Sequence, residues 1–338
     1  MGITRRQLQV SLAALWLLDG VLQCQPFMFS ARFARRVLGP ARGGLPTVLA
    51  DVLHGITALV SMHPALANGG FAFIQLALGI GLLSRRFARP FLAGSLAWSL
   101  LVWVIGEGLG GLATGETLLS GAPGGAILYA VIAVLAWPMN NASGDDRPSW
   151  LAIPAWCTLW LAGAALQLFS GNNSPRSFTV MLRGAQSGAP QWIAAIDGHL
   201  ARVSIPGWVP ALVIALSVLV AVWALVPGAT RQLSFGVGAI IALTGWLLFQ
   251  GLGDLTSGQA TDPNTGPLIV LLAVAGASAT NRRVLADQTP VEVPTPMIAE
   301  FVSSDSGTRH YAFGAIPSFG HEPALNAESS IDAGGRGR

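Results

Sequence analysis

Ionisable side chains are scarce in this sequence, and those that fall in apolar stretches are the first candidates for chemistry. Asp19 lies in the middle of SLAALWLLDGVLQC. A charge inside a membrane span is costly and marks function by default. One reading makes Asp19 a proton or cation site. The other makes it a protonated, hydrogen-bonded strut between helices. Glu107 lies in WVIGEGLGGLATG, and Gln250 lies in WLLFQGLGDLTSG with Asp254 beside it. Glycine lets backbones approach closely. Together, the two segments could line a polar cleft at the outer face. The plainer reading is a helix end broken by its glycines, with carboxylates that meet water. Neither Gly-rich run follows a strand, so no dinucleotide or phosphate loop is indicated.

Asp51 with His54 and Asp197 with His199 form a second candidate cluster, at the outer surface, with spacings D-x-x-H and D-x-H. A zinc site needs three or four convergent ligands. The two pairs lie on separate segments, so ordinary interfacial polar residues are the simpler account, and no metal or cofactor is expected. The two cysteines, Cys24 and Cys157, sit in apolar runs without CxxC spacing. They read as buried spectator thiols. No Ser/His/Asp or Cys/His constellation can be argued from the spacing. Trp98, Trp103, Trp208 and Trp246 read as interface or packing aromatics.

The elements that must position these residues are apolar helices. Of 338 residues, 52% are hydrophobic and 10% charged, against about 25% charged in soluble domains. Lipid must therefore cover much of the surface. All 19 basic residues are Arg, and no basic run with interleaved aromatics suggests nucleic acid. A span needs about 20 apolar residues. Eight stretches qualify or nearly do: 8–29, 68–84, 90–109, 123–138, 150–169, 206–226, 233–252 and 265–280. The first has a twin arginine but no small-x-small cleavage site, which predicts a retained helix rather than a cleaved leader. Residues 284–338 hold 7 of the 16 acidic residues with Pro, Ser and Gly throughout, and read as a disordered tail.

The chain also repeats itself. Trp103 and Trp246 open matching segments 143 residues apart, and Pro46 faces Pro190 at 144. Leu15-Trp16-Leu17 faces Leu159-Trp160-Leu161. Gly, Trp and Pro in one order over more than 100 residues point to duplication, which is common in membrane folds. The expectation is an all-α, polytopic transmembrane bundle of two tandem four-helix units, 1–140 and 141–283. Each carries an outer amphipathic stretch, 31–66 or 171–205, at the membrane surface. Both units then run the same way in the cell (inner) membrane. The termini, Arg85, Arg86, Arg89, Arg147, Arg231, Arg282 and Arg283 fall in the cytoplasm, as the positive-inside rule asks. Arg32, Arg35, Arg36 and Arg42 fall outside, against it. If 46–63 and 190–205 also crossed, each unit would have five helices and the copies would be inverted.

One helix, an outer amphipathic stretch and then three helices resembles the DoxX/MauE-type family of four-helix membrane proteins. ANGGFAFIQLALGIGLLSRRFARPFLAGSL is similar in style to that family's second and third helices. The resemblance covers 8–138 better than 150–280. It implies membrane redox or thiol chemistry, yet this chain departs by being duplicated and by lacking a paired-cysteine motif. Three function classes follow. The first is a non-catalytic component or assembly factor of an envelope complex, partnered by lipid and by other membrane proteins. The second is a small-solute or proton-coupled transporter. The third is a quinone-linked redox protein.

Overall fold

The computed structural model describes residues 2–138, 146–169 and 171–286. Their regular elements are all helical, with no strand among the described residues. Helix α1 spans Arg5–Leu22. Thr4 and Gln7 start it by capping each other's backbone N–H, which satisfies donors a helix start leaves open. A 3-10 turn at Pro26–Phe29 follows, then α2 (Ala31–Phe33), which widens into a π-helical turn at Ala34–Leu38. Next come α3 (Thr47–Met62), α4 (Pro64–Leu83), α5 (Ala88–Ile105) and α6 (Gly125–Leu135). The rest of the chain supplies α7 (Ala152–Leu168), α8 (Pro175–Ala185), α9 (Gln191–Leu200), α10 (Val209–Leu225), α11 (Ala229–Leu248) and α12 (Thr265–Ala286).

Each of the eight apolar stretches overlaps one helix of 11 to 22 residues. Helices α4, α5 and α11 are long and apolar enough to cross a membrane, while α3, α6, α7, α10 and residues 265–279 are apolar but shorter. Helix α1 carries Arg5, Arg6, Gln7, Gln9 and Asp19, and 9 of its 18 residues are buried by the others. Most of the expected boundaries move by a few residues. The first span ends at Leu22, not 29, and the third ends at Ile105, not 109. The helix also continues past 284 to Ala286; the remainder of the expected tail lies outside the described residues.

Helix α4 runs antiparallel to α1 along its whole length. At one end Asn68 donates to the Gln23 carbonyl at 2.8 Å, and the Gln23 amide donates back to the Asn68 side chain. At the other end Gln9 donates to Leu82 O at 2.7 Å, and the Arg6 guanidinium caps Leu82 and Leu83. Small residues permit the approach: a Cβ on Gly79 would lie 2.6 Å from Leu17 Cγ. Helix α3 instead packs on the segment before it, where Met28, Phe33, Ala34, Leu38 and Val60 form a separate small core. The main core is continuous across both halves of the chain and includes Leu12, Trp16, Tyr129, Trp156, Phe235 and Leu272.

The turns after α5 and α11 share an unusual backbone. Gly108, Leu109, Gly110 and Gly111 have φ between 57° and 72°, and Gly251, Leu252, Gly253 and Asp254 have φ between 52° and 66°. Four successive left-handed residues make a turn that only glycine adopts cheaply. In both turns a tryptophan one helical turn before the bend anchors it. Trp103 Nε1 donates to Pro123 O and Trp246 Nε1 to Pro263 O, each at 2.7 Å. Gly108 presses on the carbonyl of Ala41, and a Cβ on Gly251 would lie 2.8 Å from Ala185 O. Each turn is thus clamped beneath the segment that follows the first helix of its half.

Gly108→Ala is expected to lower the thermal unfolding midpoint in detergent. The left-handed φ alone costs roughly 1–2 kcal/mol, and the new methyl meets Ala41 O. Gly236→Ala, on an open face of α11 with nothing within 4 Å, is expected to raise the midpoint through helix propensity worth up to about 1 kcal/mol. Circular dichroism melts of the two variants check the contrast.

Candidate functional site

The first helix turns Trp16, Asp19 and Gln23 to one side, at spacings of three and four residues. Helix α4 adds Phe71 and Gln75 to the same space, α5 adds Trp98, Val102 and Ile105, and α6 adds Ala126 and Tyr129. The turn after α5 brings Glu107, and the turn before α12 brings Asp262. Phe33, Val37, Leu38 and Ile56, from the small separate core, cover the outer end. These residues enclose a cavity of about 260 Å³. A second chamber of about 350 Å³ adjoins it, shares Glu107, Thr261 and Asp262, and is walled by the glycine turn with Pro40 and Ala41. Glu107 and Asp262 therefore stand between an apolar inner chamber and a polar outer one.

Glu107 sits just beyond α5 because the left-handed turn folds the chain back toward α6. Its Oε1 accepts from Ala126 N at 3.0 Å, at the start of α6, where a helix dipole favours negative charge. Its Oε2 has no partner. A Cβ on Gly124 would collide with that oxygen, so glycine there makes room for the carboxyl. Asp262 is better held: one oxygen accepts from Asn264 N at 2.7 Å and the other from the Thr261 hydroxyl at 2.8 Å. Burial first, and then the nearby Asp262 charge, push the Glu107 carboxyl up to about 8, against the opposing pull of the α6 N–H groups. Burial also raises Asp262, opposed by its Thr261 and Asn264 bonds.

Four further buried polar atoms at this cavity lack a hydrogen bond: Asp19 Oδ1, Gln75 Oε1, Trp98 Nε1 and the Tyr129 hydroxyl. Tyr129 OH and the Asp19 carboxyl are near enough to influence each other, without closing a bond of good geometry. No Arg or His lines either chamber. Buried polar atoms are nearly always paired, so five unpaired ones on one cavity need an explanation. The set can hold and exchange protons, or bind a cation. It contains no nucleophile–base pair. Among the described residues, no group of three His, Cys, Asp or Glu could hold a metal.

The structure divides the residues expected at a polar cleft. Asp19 and Glu107 meet in one cavity. Gln250 does not reach it. Its amide donates to Leu119 O at 3.0 Å and its oxygen accepts from Thr265 Oγ1 at 3.1 Å, so it ties α12 to the 112–122 loop. Asp254 is exposed and lies against Gly188. Gly163, 144 residues after Asp19, is covered by Leu118: a Cβ there would lie 2.8 Å from Leu118 Cδ2.

The outer pairs stay apart. Asp51 and His54 are exposed on α3 beside a shallow pocket, where the Arg42 guanidinium meets His54 Nδ1 at 2.7 Å. Asp197 on α9 is covered by neighbouring chain with both oxygens unpartnered. Burial pushes its carboxyl up to about 6. His199 is exposed. Cys157 is buried as expected, whereas Cys24 is exposed, because it lies just past the end of α1.

Spacing did not single out Asp262, Tyr129, Gln75 or Trp98 as site residues. Asp262 opens the DPNT turn before the last helix, and Tyr129 is one of only two tyrosines. Those are the signals that could have found them.

Below pH 8 Glu107 carries its proton, and above it the group ionises. Infrared spectra are expected to show a protonated-carboxyl C=O band near neutral pH that fades as pH rises through about 8. The band component is expected to be missing in Glu107→Gln, whose amide oxygen can still accept from Ala126 N. A band that persists unchanged in that variant would contradict the assignment. No known protein family, curated protein or solved structure matches the chain.

Proposed function

We propose that this chain is a multi-pass membrane protein of two tandem, like-oriented units. In this reading, it moves a small solute or protons through the acidic cavity of its first unit. One observation carries the transport reading: five buried, unpartnered polar atoms, from Asp19, Gln75, Trp98, Glu107 and Tyr129, face one cavity. Groups that are unsatisfied at rest are satisfied when something occupies the space. The adjoining polar chamber gives a route to the outer face. A non-catalytic role in an envelope complex would rest on the lack of a sharp catalytic motif and on the 284–338 tail, most of which lies outside the described residues.

Two correspondences support duplication. Ala41 and Ala185, 144 residues apart, receive the equivalent glycines of the two left-handed turns. Pro46 and Pro190 both precede the second outer helix of their half with nearly the same backbone angles. Like orientation is supported by α4, which alone spans α1 while α3 stays beside 26–42. It is also supported by Ile3 N, which donates to Ser278 Oγ on α12 at 2.8 Å. The end holding the N-terminus, Arg85, Arg86 and Arg231 is then cytoplasmic.

The test uses the purified protein in liposomes that hold a pH-sensitive dye, under an imposed membrane potential. Wild type is expected to pass protons faster than empty liposomes, and Asp19→Asn and Glu107→Gln are each expected to cut the rate at least tenfold. Asp51→Asn, away from the cavity, is expected to behave as wild type. Undiminished flux in both cavity variants would sink the reading.

A further inference from the structure

Resting on the transport reading, we infer that the cavity takes an organic monocation with an apolar body, an amine or quaternary ammonium of about one ring in size. The charge argument comes first. Three carboxyl groups, Asp19, Glu107 and Asp262, face one space, and no basic side chain lines it or the adjoining chamber. Buried charges normally have partners. Here the protein supplies acids and leaves the countercharge out. An anionic solute would meet three carboxyls and no donor cation, which is prohibitive in a low-dielectric space.

The second argument is hydrogen bonding. Asp19 is 2% exposed, Tyr129 2% and Gln75 8%, and each directs a polar atom without a partner at the cavity. Asp19 Oδ1 and Gln75 Oε1 are acceptors, Trp98 Nε1 and the Tyr129 hydroxyl are donors, and Glu107 Oε2 becomes a third acceptor once Glu107 gives up its proton. In that state acceptors outnumber donors, and an occupant with N–H groups or positive charge balances them.

The walls supply the third argument. Trp16 and Tyr129 pack at 4.6 Å between ring centroids, and Phe71 and Trp98 at 5.9 Å, so two aromatic pairs border the space. Aromatic faces attract cations, most strongly once both are desolvated. Leu101, Val102 and Ile105 complete an apolar wall. A bare inorganic cation would find few oxygen ligands among so much carbon. An organic cation finds carbon for its body and carboxylate for its head. Its arrival stabilises ionised Glu107, so the site exchanges a proton for the cation.

The probe is benzyltrimethylammonium, with neopentylbenzene as its uncharged carbon analogue and benzoate as its anionic counterpart. Each is titrated into the full-length protein in detergent, with tryptophan fluorescence reporting occupancy and a dye in weak buffer reporting protons. Saturable binding of the cation is expected, with about one proton released per cation near neutral pH. Its affinity is expected to rise as pH climbs toward 8, by up to about tenfold per pH unit for a one-proton exchange. Asp19→Asn is expected to weaken it at least tenfold, Glu107→Gln to abolish the proton release, and Asp51→Asn to change neither.

Tight binding of neopentylbenzene, or of a neutral quinone, with no proton release would overturn the cation assignment. It would leave the transport reading standing wherever liposome flux still depends on Asp19. Failure of all three probes to bind, with that flux intact, would overturn the cation assignment in the same way. Wild-type flux in Asp19→Asn and Glu107→Gln would overturn the transport reading and this inference with it.

Discussion

The left-handed turn at 108–111 is the constraint from which the site follows. Helix α5 ends at Ile105 because four successive residues beyond it adopt positive φ. The chain then doubles back, and Glu107 reaches the first N–H groups of α6 instead of continuing along a helix face. Trp103 holds the far side of the turn through Pro123. Gly108 lies so close to Ala41 that the covering segment cannot shift without the turn. One backbone feature therefore positions the carboxyl, shapes the outer chamber and seats the cover.

The same turn in the second half has a different outcome, and the reason is two side chains. Gln250 takes the place of Glu107 and has neighbours for both ends of its amide, Leu119 O and Thr265. Gly163, 144 residues after Asp19, has no side chain, and Leu118 packs against it. A filled space with satisfied hydrogen bonds is what a structural element looks like. The first half keeps its space open and its polar atoms unpaired. The halves also complete each other: Asp262, from the second, stands at the first half's cavity, while Leu118 and Leu119, from the first, pack into the second.

Packing around the cavity divides into two grades. Helices α1 and α4 are locked by side-chain bonds at both ends and by close contact at Gly79. The cover over the outer end is a small core of its own, built from Met28, Phe33, Leu38 and Val60 and interrupted by a π-helical turn. Turns of that kind recur at functional sites, where a regular ladder is given up to aim side chains. Here Val37 and Leu38 on that turn point at the cavity.

Apolar run length and glycine punctuation made the apolar helices legible from the sequence, three of them long enough to cross a membrane, because a helix in an apolar setting satisfies its own backbone. Trp, Gly and Pro at constant separations made the two matching turns legible as well, since a left-handed bend demands glycine wherever it occurs. Asp19 and Glu107 stood out because charge is rare in such runs. The sequence did not determine that those two meet while Gln250 and Asp254 go elsewhere. That depends on which helices touch, and apolar faces are too alike to say. Nor could it show that Asp262 crosses from the other half, or that Tyr129, Gln75 and Trp98 are left without partners. A hydrogen bond left unmade is a property of three-dimensional neighbours, and only the tertiary structure decided it.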